Sequence, residues 1–257
     1  MNAKIRYLAL VSKTPHRLAH FYRTYLGLRE LGRSPEGDVS LTDGFYNLTF
    51  LLHRPDRPDP GFRQVGVAVD DVKELENRLR RHAPGAELQP DEGGIHAGDF
   101  RLKDPNGLPV AVSTTNFGVP DGTAKLPAIV HAAMCAPGGD KLAEFYAGVF
   151  GFVKNSPEHW GAGGRFLGDG TTNLAILASA EEVQAVGRRV NLDRLNPGWS
   201  HFGFQAPSAE ELVARMPAEA GATLRSDRPR PQGYYRIWDP DGNHFDLRTL
   251  PAWRDGD

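Results

Sequence analysis

Two histidines lie in apolar runs of the sequence that have the length of β-strands. His131 follows an Ala-Ile-Val run, and His201 lies between Trp199 and Phe204. A neutral imidazole binds divalent metal ions, and a histidine near neutral pH also transfers protons. A histidine in an apolar strand is often an ordinary core residue as well, so one histidine taken alone decides nothing.

A third histidine, His244, lies two residues before Asp246 on a later predicted strand. Side chains two apart on a strand face the same side of the sheet, so we expect both at one surface. His244 is then a candidate general acid–base, unless it caps the preceding turn or faces solvent. Asp246 is a candidate functional carboxylate, or it simply pairs with Arg236 or Arg248.

The strand before His244 supplies two tyrosines and an arginine. Alternation along a strand sends only one of Tyr234 and Tyr235 inward, and we take Tyr235 as the candidate catalytic residue. Arg236 is the candidate for neutralising an anionic substrate or intermediate, because its guanidinium stays protonated. His244, Tyr235 and Arg236 form the predicted catalytic group.

The elements that must position these residues occur twice in the sequence. The matched motifs are Phe21-Tyr22 with Phe145-Tyr146, Gly27 with Gly151, Asp43 to Leu48 with Asp169 to Leu174, and Asp104-Pro-Asn-Gly with Asp239-Pro-Asp-Gly. Several matches at nearly one spacing indicate an internal duplication. We therefore predict an N-terminal domain at 1–117, a linker at 118–125 and a C-terminal domain at 126–251.

Each predicted domain repeats one pattern of elements. The C-terminal domain is predicted to hold strands at 128–133, 152–155, 164–168, 173–177, 199–205, 223–225, 233–238 and 244–248, with helices at 140–150 and 208–218. This unit is βαβββ, present twice in each domain and four times in the chain, which makes an α+β fold. One unit has too few strands to close a core, so two of them form a half-open barrel around a cleft.

The composition excludes several classes of function. The chain has 257 residues, with 30 Lys and Arg against 32 Asp and Glu and a formal net charge of −2. A nearly neutral protein has no electrostatic attraction to nucleic acid or anionic lipid. No apolar run is long enough to span a bilayer, and a single cysteine, Cys135, fits a reducing compartment. We therefore expect a cytoplasmic protein with no nucleic-acid or membrane partner.

The ordered motifs of the C-terminal domain resemble the vicinal-oxygen-chelate superfamily in its two-domain form. The residues that carry the resemblance are Ile129-x-His131, Glu144-Phe-Tyr-x-x-x-Phe-Gly151, Ser200-His-Phe-Gly-Phe204 and Asp239-Pro-Asp-Gly-Asn-x-x-Asp246. That superfamily includes glyoxalase I, fosfomycin and bleomycin resistance proteins, methylmalonyl-CoA epimerase and type I extradiol dioxygenases. The resemblance implies two tandem half-open barrels and a small-molecule substrate, and it leaves a homo-oligomer open.

The resemblance also implies one metal site, in the C-terminal domain. The superfamily's ligand positions fall on His131, His201 and Asp246. Two imidazoles and one carboxylate leave open positions on a divalent ion where a substrate or O₂ can bind. The equivalent positions of the N-terminal domain hold Tyr7, Gln64 and Ala111. We therefore expect no metal in that domain.

Several positions depart from the superfamily's patterns. Ala175 stands at the fourth ligand position of glyoxalase-type sites, which favours a three-ligand, iron-type site. Thr172 or Asn173 stands where extradiol dioxygenases carry an acid–base histidine, and Arg236 stands where they carry a tyrosine. None of these three side chains performs those proton transfers. Asp246 is also one methylene shorter than the usual glutamate ligand.

Three functions remain open at this point. The first is a divalent-metal enzyme, with Fe(II) preferred and Mn(II) or another ion as the alternative, that carries out dioxygenase-like chemistry on a catechol or an enolisable compound. The second is an isomerase or lyase of glyoxalase or epimerase type with His244 as its base. The third is a metal-free binding protein of the resistance type. The connector 179–198, and His159 with Trp160, could cover or rim the site, or could lie at the surface.

Overall fold

Two sheets with the same strand order organise the protein. The computed structural model describes residues 1–56, 59–91, 98–120, 122–154, 164–178, 197–224 and 233–249. Within these ranges, each half of the chain contributes one sheet of eight strands. His159, Trp160 and nearly all of the connector 179–198 lie outside the described residues, so their predicted roles stay predictions.

The N-terminal half consists of two consecutive βαβββ units. Its elements are β1 (Ala3–Ser12), α1 (Pro15–Leu26), β2 (Arg29–Arg33), β3 (Val39–Thr42), β4 (Asn47–Leu52), β5 (Gly61–Val69), α2 (Val72–His82), β6 (Gln89–Pro90), β7 (Phe100–Lys103) and β8 (Pro109–Ser113). The strand order is β2-β3-β4-β1-β5-β8-β7-β6. The first strands of the two units, β1 and β5, therefore pair with each other in the middle of the sheet, and they run antiparallel.

The C-terminal half repeats this arrangement element by element. Its elements are β9 (Ala128–Cys135), α3 (Gly139–Phe150), β10 (Val153–Lys154), β11 (Gly164–Gly168), β12 (Asn173–Leu177), β13 (Gly198–Ala206), α4 (Ala209–Val213), β14 (Thr223–Leu224), β15 (Tyr234–Trp238) and β16 (His244–Thr249). The strand order is β10-β11-β12-β9-β13-β16-β15-β14, the same pattern as in the first sheet. The α+β fold of four βαβββ units is confirmed.

One predicted helix is shorter in the structure than in the prediction. The helix that Ser208 opens ends at Val213 instead of reaching residue 218. Ser208 Oγ accepts a hydrogen bond from the backbone N–H of Glu211 at 3.2 Å, so the predicted cap is present. Pro217 has no N–H to donate to the carbonyl of Val213, and the residue before a proline is disfavoured in a helix. A 3₁₀ turn at Ala218–Ala220 follows instead.

The glycine that recurs after the first helix of each half has a conformational reason. Gly27 and Gly151 follow α1 and α3 with φ values of 67° and 77°. This left-handed conformation costs glycine little and costs other residues more, and it ends a helix. The repeated glycine therefore marks where each helix must stop.

The helices of the described ranges are short. The helices α1 and α3 have 12 residues each. No helix in the described ranges is long and apolar enough to cross a membrane.

One continuous apolar core joins the two halves. Phe21 of α1 packs against Phe245 of β16, with ring centroids 6.3 Å apart. The ring centroids of Tyr22 of α1 and Phe202 of β13 are 6.1 Å apart. Burial of side chains of this size stabilises a fold by about 1.5–3 kcal/mol each. The helix of the first half is thus held by the sheet of the second.

Reciprocal hydrogen bonds connect the repeated motifs across the two halves. Tyr22 Oη donates to Asp239 Oδ2 at 3.1 Å, and Tyr146 Oη donates to Asp104 Oδ2 at 3.3 Å. Each helix therefore binds the Asp-Pro turn of the opposite half. Burial raises the pKa of Asp239 to about 6 and also raises the pKa of Asp104, so these contacts carry a pH dependence.

Candidate functional site

The three predicted ligand positions lie on neighbouring strands in the middle of the C-terminal sheet. In the register of β9, β13 and β16, Gly203 lies directly between His131 and Asp246. His201 is two residues before Gly203 on β13, so its side chain is on the same face. The register therefore directs His131, His201 and Asp246 to one side of the sheet.

These three side chains are close together and buried. His201 Nε2 lies 3.4 Å from Asp246 Oδ2. The imidazole centroids of His131 and His201 are 5.4 Å apart. Each histidine is 4% exposed and Asp246 is fully buried. Polar groups removed from water need polar partners, and here the partners come from strands that are distant in sequence.

Both imidazoles are oriented through their Nδ1 atoms. His131 Nδ1 donates to Asn173 Oδ1 at 3.0 Å, and Ser200 Oγ lies 3.1 Å from His201 Nδ1. An amide oxygen only accepts, so the neutral His131 ring carries its proton on Nδ1 and has its lone pair on Nε2. Metal-binding histidines are typically oriented in this way by a second residue.

The orienting role of Asn173 was missed in the sequence analysis, although a signal was present. Asn47 and Asn173 occupy the same place in the matched motifs that begin at Asp43 and Asp169. Asn173 of β12 is also the register partner of His131 of β9. An amide repeated at the strand next to a candidate histidine indicates a hydrogen-bond partner.

Asp246 is held by two residues of β15. Arg236 Nε donates to Oδ1 at 2.9 Å, Arg236 Nη2 donates to Oδ2 at 3.2 Å, and Tyr234 Oη donates to Oδ2 at 2.7 Å. Burial alone would raise the pKa of Asp246, but His201 and Arg236 outweigh it and hold that pKa well below its ordinary value. Asp246 is therefore a carboxylate. Of the two arginines with which the sequence analysis allowed it to pair, Arg236 and Arg248, the structure shows the pair with Arg236.

The choice of Tyr235 as the inward tyrosine needs correction. Tyr235 pairs with Leu247 and packs against the apolar core, on the face of β15 opposite to Arg236. Tyr234 pairs with Arg248 on the face that carries Arg236, and its hydroxyl is the one that reaches Asp246. The alternation rule was right, and the member of the pair was wrong.

His244 lies beside the three candidate ligands, as its position on β16 predicted. Its ring is stacked on that of His201, with centroids 5.1 Å apart and 30° between the planes. The ring of Trp238 lies 6.4 Å away on the next strand. His244 is partly exposed, whereas His201 is buried. A partly exposed imidazole at the edge of the group can exchange a proton with solvent or with a bound molecule.

The donor set matches a divalent ion in residue type, and its three members share one face of the sheet. Two imidazoles and one carboxylate lie on one buried face, and the lone pair of His131 is on Nε2. In the described part of the chain, no three His, Cys, Asp or Glu side chains already stand close enough together to hold a metal ion. Completing the set requires Asp246 to share its carboxylate between Arg236 and the ion.

The corresponding face of the N-terminal sheet is filled by an aromatic ring. Tyr7, Gln64 and Ala111 occupy the register positions of His131, His201 and Asp246. Phe117, which follows β8, stacks on Tyr7 with centroids 4.9 Å apart. Asn47 corresponds to Asn173, and its Nδ2 donates to the Phe117 carbonyl at 2.8 Å. This bond fixes the backbone of Phe117 and thereby the position of its ring.

Comparison with known families agrees with this architecture. Residues 4–112 match the family described as the glyoxalase/bleomycin resistance protein/dioxygenase superfamily, and residues 129–248 match a glyoxalase-like domain. The chain belongs to the glyoxalase/bleomycin resistance/dioxygenase superfamily, with one such unit in each half. No curated protein matches the chain.

Several solved structures share the fold at low sequence identity. The Mn(II)-bound glyoxalase from Novosphingobium aromaticivorans superposes with a TM-score of 0.69 at 18% identity, over 96% of this chain and 81% of that one. The 2,3-dioxygenase LapB from Pseudomonas sp. KL28 gives 0.68 at 17% identity, over 98% and 95%. Homoprotocatechuate 2,3-dioxygenase from Arthrobacter globiformis gives 0.65 at 14% identity, over 99% and 82%.

Proposed function

We propose that this protein is a divalent-metal enzyme whose ion is held by His131, His201 and Asp246. The observation that carries the proposal is the buried contact between His201 Nε2 and Asp246 Oδ2, with His131 on the same face. The Mn(II)-bound glyoxalase and the 2,3-dioxygenases that share the fold support a metal-dependent activity. Fe(II) is the preferred ion and Mn(II) the alternative.

The substrate we propose is a small molecule with two adjacent oxygens, such as a catechol or an enolisable compound. A divalent ion supplies a Lewis acid to such oxygens and, as Fe(II), a binding position for O₂. Three protein ligands leave open positions for both. Dioxygenase-like chemistry is therefore the specific activity that we propose.

The chain's own residues contribute orientation and proton transfer. Asn173 and Ser200 contact the Nδ1 atoms of His131 and His201 and so orient the two imidazoles. His244, partly exposed and stacked on His201, takes or returns a proton at the edge of the site. Arg236 is paired with both oxygens of Asp246, so its charge is balanced there and it orients that carboxylate instead of neutralising a substrate.

A non-oxidative isomerase or lyase is the second candidate, and one observation favours it. Thr172 is one of the two residues, with Asn173, that could stand at the position of the extradiol acid–base histidine. It is buried and hydrogen-bonded to Tyr46 of the other half, so its hydroxyl does not serve the site. His244 is then the base beside the ion. Such an enzyme turns over its substrate without consuming O₂.

Metal content and oxygen uptake test these proposals together. Protein purified without chelator and loaded anaerobically with Fe(II) or Mn(II) should retain about one ion per chain, and His131→Ala should lose it. His20→Ala, on the exposed face of α1, should retain the ion. Oxygen consumption with a panel of catechols would support the dioxygenase, and metal-dependent turnover without it would support the second candidate. A wild-type protein that binds no ion would contradict both and leave a binding protein.

A further inference from the structure

Arg236 already occupies the carboxylate that the proposed ion requires. Its Nε and Nη2 atoms donate to the two oxygens of Asp246 at 2.9 and 3.2 Å. Arg236 is only 7% exposed and Asp246 is fully buried. Paired N–H···O bonds between a guanidinium and a carboxylate are the strong form of this contact, and burial protects them from solvent.

The sheet itself maintains this contact. Arg236 and Asp246 are direct cross-strand partners in the antiparallel pair of β15 and β16. Side chains of such partners extend from the same face, with Cβ atoms roughly 5 Å apart. Arg236 is therefore next to Asp246 whether or not another cation is bound there.

The charge of this arginine opposes a second cation. A guanidinium is not deprotonated in proteins, so its charge does not change with pH. It neutralises Asp246, so the two imidazoles and the carboxylate offer an incoming ion no net negative charge. Repulsion between cations is stronger in a buried site than in water, because the effective dielectric constant is lower.

We propose that Arg236 sets the affinity of this site for divalent cations: it holds Asp246 in the metal-free protein and weakens ion binding through its charge. This proposal rests on the proposed function, since it concerns the same ion. Arg236 acts through Asp246, so it is a positioning residue for the ligand set.

Titration of the full-length protein with Mn(II) tests this role, with free Mn(II) followed by electron paramagnetic resonance. Arg236→Met removes the charge and keeps much of the side-chain volume. Arg236→Gln removes the charge and keeps a hydrogen-bond donor, and it serves if the methionine variant does not fold. Arg236→Lys keeps the charge. Arg165→Met is the matched control, because Arg165 forms its ion pair with Asp140 at the surface.

We expect both neutral variants to bind Mn(II) at least tenfold more tightly than the wild type. The lysine variant and the Arg165→Met control should bind within about threefold of the wild type. Without metal, the neutral variants should melt at a lower temperature, because Asp246 loses its buried counter-charge, and Mn(II) should raise their melting temperature more than that of the wild type.

Two outcomes would overturn the proposal, and they are distinguishable. Mn(II) affinities of the neutral variants equal to or weaker than that of the wild type would remove the role of Arg236 and leave the metal site intact. No binding of Mn(II) by the wild type or any variant, up to millimolar concentration, would remove the proposed function and this inference with it.

Discussion

In the N-terminal half, the face that corresponds to the candidate site holds an aromatic ring, whereas in the C-terminal half it holds imidazoles and a carboxylate. Tyr7 and His131 occupy equivalent positions, and each is paired with a glycine, Gly66 or Gly203. A Cβ atom added at Gly66 would lie 2.5 Å from Phe117 Cζ, so the ring of Phe117 fills the space above that glycine.

This difference shows that one sheet register serves two purposes. The backbone brings together the same positions in both halves, and the side chains alone decide whether the space is apolar or polar. In the N-terminal half, the ring of Phe117 fills the space above Gly66. The chemical groups on this face thus differ between two copies of one fold because of a few side chains, and it is such side chains, not the fold, that determine function.

The largest expected effect is the loss of the buried negative charge on the C-terminal face. We predict that Asp246→Asn destabilises the protein by about 3–5 kcal/mol, because Arg236 would then be a buried charge without a counter-charge. The variant should also lose bound metal. Urea unfolding and metal analysis measure the two effects. Asp140→Asn, which breaks the surface ion pair with Arg165, should cost less than about 1 kcal/mol. Equal costs for the two variants would contradict the assignment.

The second prediction removes the ring of Phe117 from the apolar face of the N-terminal half. Phe117 is 1% exposed, and we predict that Phe117→Ala costs about 3–5 kcal/mol, because the space above Gly66 would become a cavity. Metal retention by the C-terminal half should not change. The partly exposed Phe100 provides the control, and Phe100→Ala should cost clearly less in the same urea unfolding measurement. A cost near zero for Phe117→Ala would mean that the face is not filled as described.

The contacts between the halves predict a pH dependence. Asp239 has an ordinary pKa of 3.8 when unfolded, and burial raises its pKa to about 6 in the folded protein. Between about pH 4 and pH 6, the folded state therefore keeps this carboxyl group protonated, whereas the unfolded state has released the proton. Asp239 therefore contributes about 3 kcal/mol to the free energy of unfolding below about pH 4, and this contribution is lost as the pH rises through about 6.

Asp239→Asn should remove this contribution. The difference in unfolding free energy between wild type and variant should therefore change between pH 4 and pH 7, with the wild type losing more stability as the pH rises. Asp104→Asn should show the same sign, because burial also raises the pKa of its equivalent in the other half. Parallel pH profiles for wild type and Asp239→Asn would contradict the raised pKa.

The two equivalent asparagines give the smallest and most specific test. Asn47→Ala should cost about 1 kcal/mol of stability through the lost hydrogen bond to the Phe117 carbonyl, without an effect on metal binding. Asn173→Ala should cost a similar amount and also weaken metal binding by about 10–100-fold, since it orients His131. Identical behaviour of the two variants in a Mn(II) titration would remove the distinction between the halves.

The fold could be predicted because its signals are local and repeated. Gly27 and Gly151 end equivalent helices, and the Asp-Pro turns recur at Asp104 and Asp239. The limits of α4 were less predictable, since the apolar spacing continues past Val213 and only Pro217 interrupts it. The gathering of His131, His201 and Asp246 followed from the family resemblance, and the register shows how the sheet achieves it.

The remaining details depend on contacts between distant residues. The inward tyrosine is set by the register of β15 on β16, where Tyr234 and Arg236 share the face of Asp246. Counting back from Asp246 through the intervening turn would have selected Tyr234. The position of Phe117 has no comparable signal, because φ values of 53° and 52° at Asn116 and Phe117 are rare for residues other than glycine.

The bonds from Tyr22 to Asp239 and from Tyr146 to Asp104 have a consequence for how the two copies could diverge after duplication. Each half donates a tyrosine hydrogen bond to an Asp-Pro turn of the other half. Deleting either half would therefore expose a buried carboxyl group in the half that remains. The N-terminal copy, which has Tyr7 and Gln64 in place of His131 and His201, is thereby retained as a structural partner. Substitutions at the two tyrosines and two aspartates of these bonds are expected to occur in pairs.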